Sequence, residues 1–187
     1  MMNILVTYFS LSGNTKKIAD AFVEELTSQA QQVTIKDLVE ISPATLQEFD
    51  LVFLGAACHD SDLAESAIGL LEKIDYTPKY KLAGFVTHAT TMPDHTERNQ
   101  QLYTQWAGKC IQSFHRLSAD KGFDFLGFFH CQGAPVPPIA EFIHQEIIPD
   151  EQEWEEYLNE VRDHPNQKDI DDAKTFAREV IQKYERI

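Results

Sequence analysis

The stretch NILVTYFSLSGNTKKIAD, residues 3–20, passes from a strand-forming run to a helical one with no linker between them. Asn3–Tyr8 is short and almost wholly apolar, the pattern of a strand buried on both faces. Ile18, Phe22 and Leu26 then recur at helical spacing to about Gln29. Between the two lies a turn made of Ser10, Leu11, Ser12, Gly13, Asn14 and Thr15. A helix that opens there leaves its first amide N–H groups without intrahelical partners. Those donors, aligned with the helix dipole, favour an anion. The hydroxyl and amide side chains add donors, and Gly13 admits close backbone approach. The loop suits a phosphate. Lys16 and Lys17 oppose the dipole in the first turn, a penalty that a bound dianion would turn into attraction. Taken alone, both read more simply as solvated side chains than as part of a site.

Working outward, the strand–helix alternation continues. Gln32–Leu38 sets Val33 and Ile35 against polar residues, as a half-exposed strand near a sheet edge does. Leu51–Ala56 and Leu82–Thr87 are again buried-type strands, separated by a helix marked by Leu63, Ala67, Leu70, Leu71 and Ile74. One long helix is expected from about Thr96 to Ala119, and Phe123–Cys131 is the last strand. Five strands alternating with helices imply an α/β fold: a doubly wound parallel sheet with right-handed crossovers and helices on both faces. Residues 1–187 read as one domain. After Gly133 the pattern changes. APVPP makes a stiff turn, and an acidic helical insertion spans about 139–165 with its own packing surface at Trp154, Tyr157 and Leu158. His164-Pro165 breaks it. Asn166 then caps a final helix whose Ile170, Ala173, Phe176, Ala177, Val180, Ile181 and Tyr184 form an apolar stripe for the sheet.

An apolar fraction of 43% and a charged fraction of 25% are those of an ordinary globular chain. The formal charge of −14 repels nucleic acid and anionic membranes and favours basic partner surfaces. Cys58, Cys110 and Cys131 are an odd, unpaired set that suits a reducing cytoplasm. No apolar run is long enough to span a bilayer, and the first residues read as a strand rather than a signal peptide.

The loop lacks the G-x-x-x-x-G-K-[ST] form of triphosphate binders and the three-glycine form of dinucleotide binders. Hydroxyls around one glycine suit a terminal phosphate monoester. Here the chain resembles the flavodoxin family, whose phosphate loop [ST]-x-[ST]-G-x-T is matched at every fixed position by Ser10-Leu11-Ser12-Gly13-Asn14-Thr15. The resemblance implies a flavodoxin-like sheet of order 2-1-3-4-5 and non-covalent FMN, with the phosphate on Ser10–Thr15. It also implies that the ring lies between the loops after strands three and four. That brings in Ala57, Cys58 and His59 on one side and Thr87, His88 and Ala89 on the other, with His59, His88 or Met92 against the ring face. Two departures stand out. Neither loop carries the Trp or Tyr that commonly stacks on the ring, and no glycine follows Gly55 in the third-strand loop. Both weaken the case for a strongly stabilised one-electron-reduced flavin and leave two-electron chemistry open.

Other constellations carry less. His59, His88 and His130 fall at neighbouring strand ends beside Cys58 and Cys131, yet no C-x-x-C or H-x-x-x-H pair supports zinc. Cys110 and Arg116 have a phosphatase-like spacing, but inside a helical pattern with no glycine. Receiver domains share the topology and need acids at the end of strand one, where Tyr8-Phe9-Ser10 has none. The expectation is therefore an FMN-binding, cytoplasmic electron-transfer protein with a redox partner protein or small-molecule acceptor. It names no acid, base, nucleophile or metal ligand. The alternatives are an FMN-dependent NAD(P)H:quinone-type reductase and a binding module of the same fold without a redox role.

Overall fold

Ile4, Leu5 and Val6 of β1 (Asn3–Phe9) are all inaccessible to solvent, because helices cover both sides of the strand. Leu5 joins Val52, Leu54, Leu82 and Val86 beneath α3 (Glu65–Glu72) and α5 (Gly108–Lys121). Ile4 and Val6 join Phe53, Ala83 and Phe85 beneath α1 (Asn14–Ser28) and α8 (Gln167–Arg186). This two-sided burial explains why the strands read as continuous apolar runs.

The computed structural model describes residues 1–186. Five parallel strands, β2 (Gln32–Asp37), β1, β3 (Leu51–His59), β5 (Lys81–His88) and β6 (Asp124–Gln132), lie in that order. Counted over these strands, the order is the expected 2-1-3-4-5. The chain winds one way from β1 to β2 and the other way from β1 to β3, so the winding reverses between β1 and β3. Ligands collect at the carboxyl ends of strands at such a point. β2 is the exposed edge, and Ile35 faces solvent there rather than the core.

On the α1 side, Phe22 lies 5.1 Å from Phe53, 4.9 Å from Phe85 and 6.0 Å from both Phe129 and Phe176, measured between ring centroids. Gly55 makes room for this cluster: a Cβ there would lie 2.1 Å from the Phe85 ring. α8 docks through Ala173, Ala177, Val180 and Ile181, and Asn166 caps it by accepting from the Lys168 amide at 2.9 Å.

The structure corrects the sequence reading in three places that bear on the cleft. The long helix expected from Thr96 to Ala119 is two helices, α4 (Glu97–Trp106) and α5, broken at Ala107, whose φ of −142° is not helical. Gly108, a poor helix former, follows the break. Second, β3 and β5 run further than expected, so Ala57, Cys58, His59 and His88 lie in strands rather than loops, and Thr87 is in its strand as expected. Third, Leu63 belongs to a short strand β4 (Asp62–Leu63) that folds back antiparallel on Cys58 and His59. A short helix α2 (Pro43–Leu46) also lies between β2 and β3.

Candidate functional site

At the carboxyl end of β1 the chain turns through Ser10–Gly13 into α1. Gly13 sits at φ +89°, the left-handed region that favours glycine, and is the residue flanking the helix. The Ser10 hydroxyl oxygen accepts from the Gly13 amide at 3.1 Å, which fixes the turn. No side chain caps α1 and no acid lies in its first turn. Its first amides therefore remain free to meet an anion. Ser12 and Leu11 are exposed at the turn, whereas Thr15 is inaccessible to solvent and shares a 2.8 Å hydrogen bond with the Thr87 hydroxyl of β5. Asn14 donates to the Ala134 carbonyl at 2.9 Å, and Gly133 has no side chain to obstruct it: a Cβ there would lie 2.6 Å from the Asn14 amide nitrogen. The two lysines point elsewhere, Lys16 to Asp20 and Lys17 to the Pro165 carbonyl.

β3 and β4 are joined by two residues only, Asp60 and Ser61, with φ of 47° and 68°. Two left-handed residues in a two-residue hairpin are the primed turn geometry usually built from Asn-Gly. Here it is made without glycine, a conformation that costs about 1 kcal/mol or more per residue. Several backbone groups of the predicted ring contacts are engaged within the protein. The Ala57 carbonyl accepts from the Ala64 amide, the His88 carbonyl from the Gly133 amide, and the Ala89 carbonyl from the Tyr157 hydroxyl at 2.6 Å. The hydroxyl of Thr91, a residue that lines the cleft, is buried with no partner.

His88 is not turned outward as a ring-facing side chain. Its ring is buried, with Nδ1 3.1 Å from the Thr90 carbonyl and Nε2 3.0 Å from His130 Nδ1. This pattern has Nδ1–H of His88 donating to the carbonyl and Nδ1–H of His130 donating to His88 Nε2. Tyr103 of α4 packs against both rings, edge-on to His88 at 5.4 Å and tilted against His130 at 4.9 Å between centroids. Burial, then the neighbouring His130, lowers the His88 pKa to about 3, and burial lowers that of His130. Burial raises the Tyr103 pKa to about 12.

The unfolded chain takes up a proton on His88 near its ordinary pKa and the folded chain does not, so the fold is favoured fully above that value. The advantage is lost as the pH falls toward 3. Urea unfolding should show about 2 kcal/mol of His88-linked loss between pH 6.5 and 5. His88→Gln should flatten that slope. An unchanged slope in the variant would remove His88 as its source.

The opposite side of the cleft comes from residues that sequence reasoning did not place there. Leu102 and Trp106 of α4 face α6 (Pro137–Phe142) and the following turn of π-helix to Ile147. Trp106 meets Phe142 edge-on at 5.6 Å. α7 (Glu151–Val161) holds this unit down: Tyr157 and Val161 pack with Ile143 and Ile148 and touch Ala89. Between the two sides is a cavity of about 710 Å³.

Of the twelve predicted contact residues, Leu11, Ser12, Asn14, Ala57, Cys58, His59, Thr87, His88 and Ala89 line this cavity, while Ser10, Gly13 and Thr15 support it from behind. Met92 is not among the lining residues, and His59 leans edge-on against Phe9 at 5.8 Å. The Cys58 thiol donates to the Trp106 carbonyl at 3.2 Å, and the Cys110 thiol is pushed up in pKa chiefly by Cys58, then by burial. Among the described residues no cluster of side chains is arranged to hold a metal ion, and no helix is long and apolar enough to cross a membrane. Trp106 and Tyr157 also line the cavity, and no local motif announces either of them.

Comparison with known proteins agrees with this architecture. The family model for the flavodoxin domain matches residues 5–178. The flavodoxin-like domain-containing protein BilS of Clostridioides difficile is 28% identical over 189 residues, covering 96% of this chain and 97% of that protein. The uncharacterized protein MJ0298 of Methanocaldococcus jannaschii is 26% identical over 185 residues, covering 96% and 99%. Among solved structures, oxidised Flavodoxin 1 from Bacillus cereus superposes with a TM-score of 0.63 at 16% identity, covering 96% of this chain and 97% of that one. At that identity the likeness is one of fold.

Proposed function

We propose that this chain, which belongs to the flavodoxin-domain family, binds FMN in the cleft between the Ser10–Thr15 turn and the α6 wall and serves in electron transfer. One observation carries the reading: an uncapped, acid-free helix start behind a left-handed glycine, set at the point where the sheet reverses its winding. The residues fit the group. The opening amides of α1 and the Ser12 hydroxyl would hold the phosphate, and the orphaned Thr91 hydroxyl would meet a polar atom of the ring system. FMN would supply the redox chemistry, and the protein binds and tunes it.

The chain's own contribution is positional and electrostatic. The Thr15–Thr87 hydrogen bond locks the phosphate turn to β5, so the two sides of the cofactor slot keep a fixed spacing. The net charge of −14 disfavours added negative charge on a reduced cofactor and steers a basic redox partner toward the molecule. The free thiols Cys58, Cys110 and Cys131 suit a reducing compartment such as the cytoplasm.

The test is direct. Protein prepared with FMN should be yellow and release FMN on denaturation. Calorimetry on the stripped chain should rank FMN above riboflavin by a wide margin, because the phosphate meets charge-assisted donors that riboflavin cannot use. Equal affinities would remove the phosphate turn from the site, and no uptake of either would leave a binding module of another kind.

A further inference from the structure

We infer that the α6 wall is a binding face for a second ligand, a planar, uncharged, conjugated molecule of quinone size held beside the flavin. This rests on the FMN reading above and extends it to the class of small molecule the site accepts. The wall is apolar throughout: Leu102, Trp106, Val136, Ile139, Phe142 and Ile147. Pro137 and Pro138 at its start have no backbone N–H, and the amides of α6 are directed along the helix. Beyond the Trp106 indole N–H, its side chains offer nothing to the heteroatom edge of a flavin. Across the cleft, the hydroxyl of Thr91 and the α1 start offer the polar groups instead. The two sides are chemically unlike, as a slot serving two ligands requires.

A second observation concerns exposure. Seven large apolar side chains are exposed among the described residues, and four of them stand on the lining of this one cavity. They are Leu11, 76% exposed, Ile139 at 46%, Phe142 at 41% and Val136 at 39%. Scattered apolar residues need no explanation, but a group gathered at the mouth of a groove marks a ligand or partner surface. Nor is the wall a loose tail. Tyr157 ties it to Ala89, Asn14 ties Ala134, just before α6, to the phosphate turn, and Trp106 braces Phe142.

Charge decides the class of occupant. No lysine or arginine lines the cavity among the described residues, and Asp60 is its carboxylate. A nicotinamide dinucleotide, with its pyrophosphate, would enter a slot that offers no cation outside the flavin's own phosphate site. An uncharged conjugated ring loses nothing by that and gains apolar contact on Trp106, Ile139 and Phe142.

The experiment titrates the FMN-loaded chain with duroquinone, whose ring is fully substituted so that the Cys58 thiol cannot add to it. Tryptophan fluorescence is the readout. Saturable quenching is expected, and Trp106→Phe should remove most of it although Trp154 remains. Ile139→Glu, at an exposed position, should weaken duroquinone binding at least about tenfold and by more than it weakens FMN binding. Equal losses of both would assign the wall to the flavin itself and overturn the inference. So would duroquinone binding to the FMN-free chain that FMN loading abolishes, no saturable quenching of the loaded chain, or NADH binding as tightly as duroquinone. Failure of the chain to take up FMN at all is the separate failure of the reading beneath it.

Discussion

Replacing Ser12 by aspartate should weaken FMN binding by roughly a hundredfold or more while leaving the FMN-free chain as stable as before, or slightly more so. Ser12 is exposed at the turn and lines the cleft. A carboxylate placed there at about 4 Å from a dianion costs about 2 kcal/mol even at the dielectric of water, and more as solvent is excluded. Loss of the hydroxyl donor to a charged group adds about 1.5–3 kcal/mol. The same carboxylate stands before an α1 start that has neither a capping side chain nor an acid. In the absence of ligand it should therefore contribute about 0.3–1 kcal/mol of stability through the dipole. The opposite signs make the test sharp. Calorimetry reports the affinity, thermal unfolding of the stripped chain reports the stability, and riboflavin is the control because it lacks the phosphate. A parallel loss of riboflavin affinity would point to damage elsewhere in the cleft.

Gly55→Ala should destabilise the fold by about 3 kcal/mol or more, with no effect on the surface. The added methyl would lie 2.1 Å from two atoms of the Phe85 ring, and Phe85 is itself held by Phe22. Both residues are on central strands in direct register, so neither backbone can withdraw without breaking the ladder. For a chain of this size the loss corresponds to a fall of roughly 6–12 °C in Tm. Phe85→Leu should recover part of it in the double variant by yielding the space, although the leucine alone leaves a cavity. Thermal unfolding of the four proteins forms the cycle. Additive effects would mean that the two side chains do not compete for the same volume.

The Ser10–Thr15 turn was legible in sequence because its parts are consecutive: a strand, a glycine among hydroxyls, and a helix start lie within residues 3–20. The sheet order was legible for a similar reason, since each buried strand is a short apolar run. The opposite wall was not. Tyr157 reaches Ala89 across 68 residues, and Asn14 reaches Ala134 across 120. Periodicity shows which side of a helix is apolar and is silent on what that side meets. The extended end of β3 escaped notice because Asp60-Ser61 adopts a hairpin turn without the Asn-Gly signature that usually signals one. The burial of the His88 ring was not legible either, because the histidine it meets lies 42 residues later.

The contact between Asn14 and the chain just past β6 has a consequence for substitution. A full-length amide at position 14 and any side chain at position 133 compete for the same few ångströms. Two positions far apart in sequence are thereby coupled: a side chain added at 133 should be tolerated only with a shorter residue at 14.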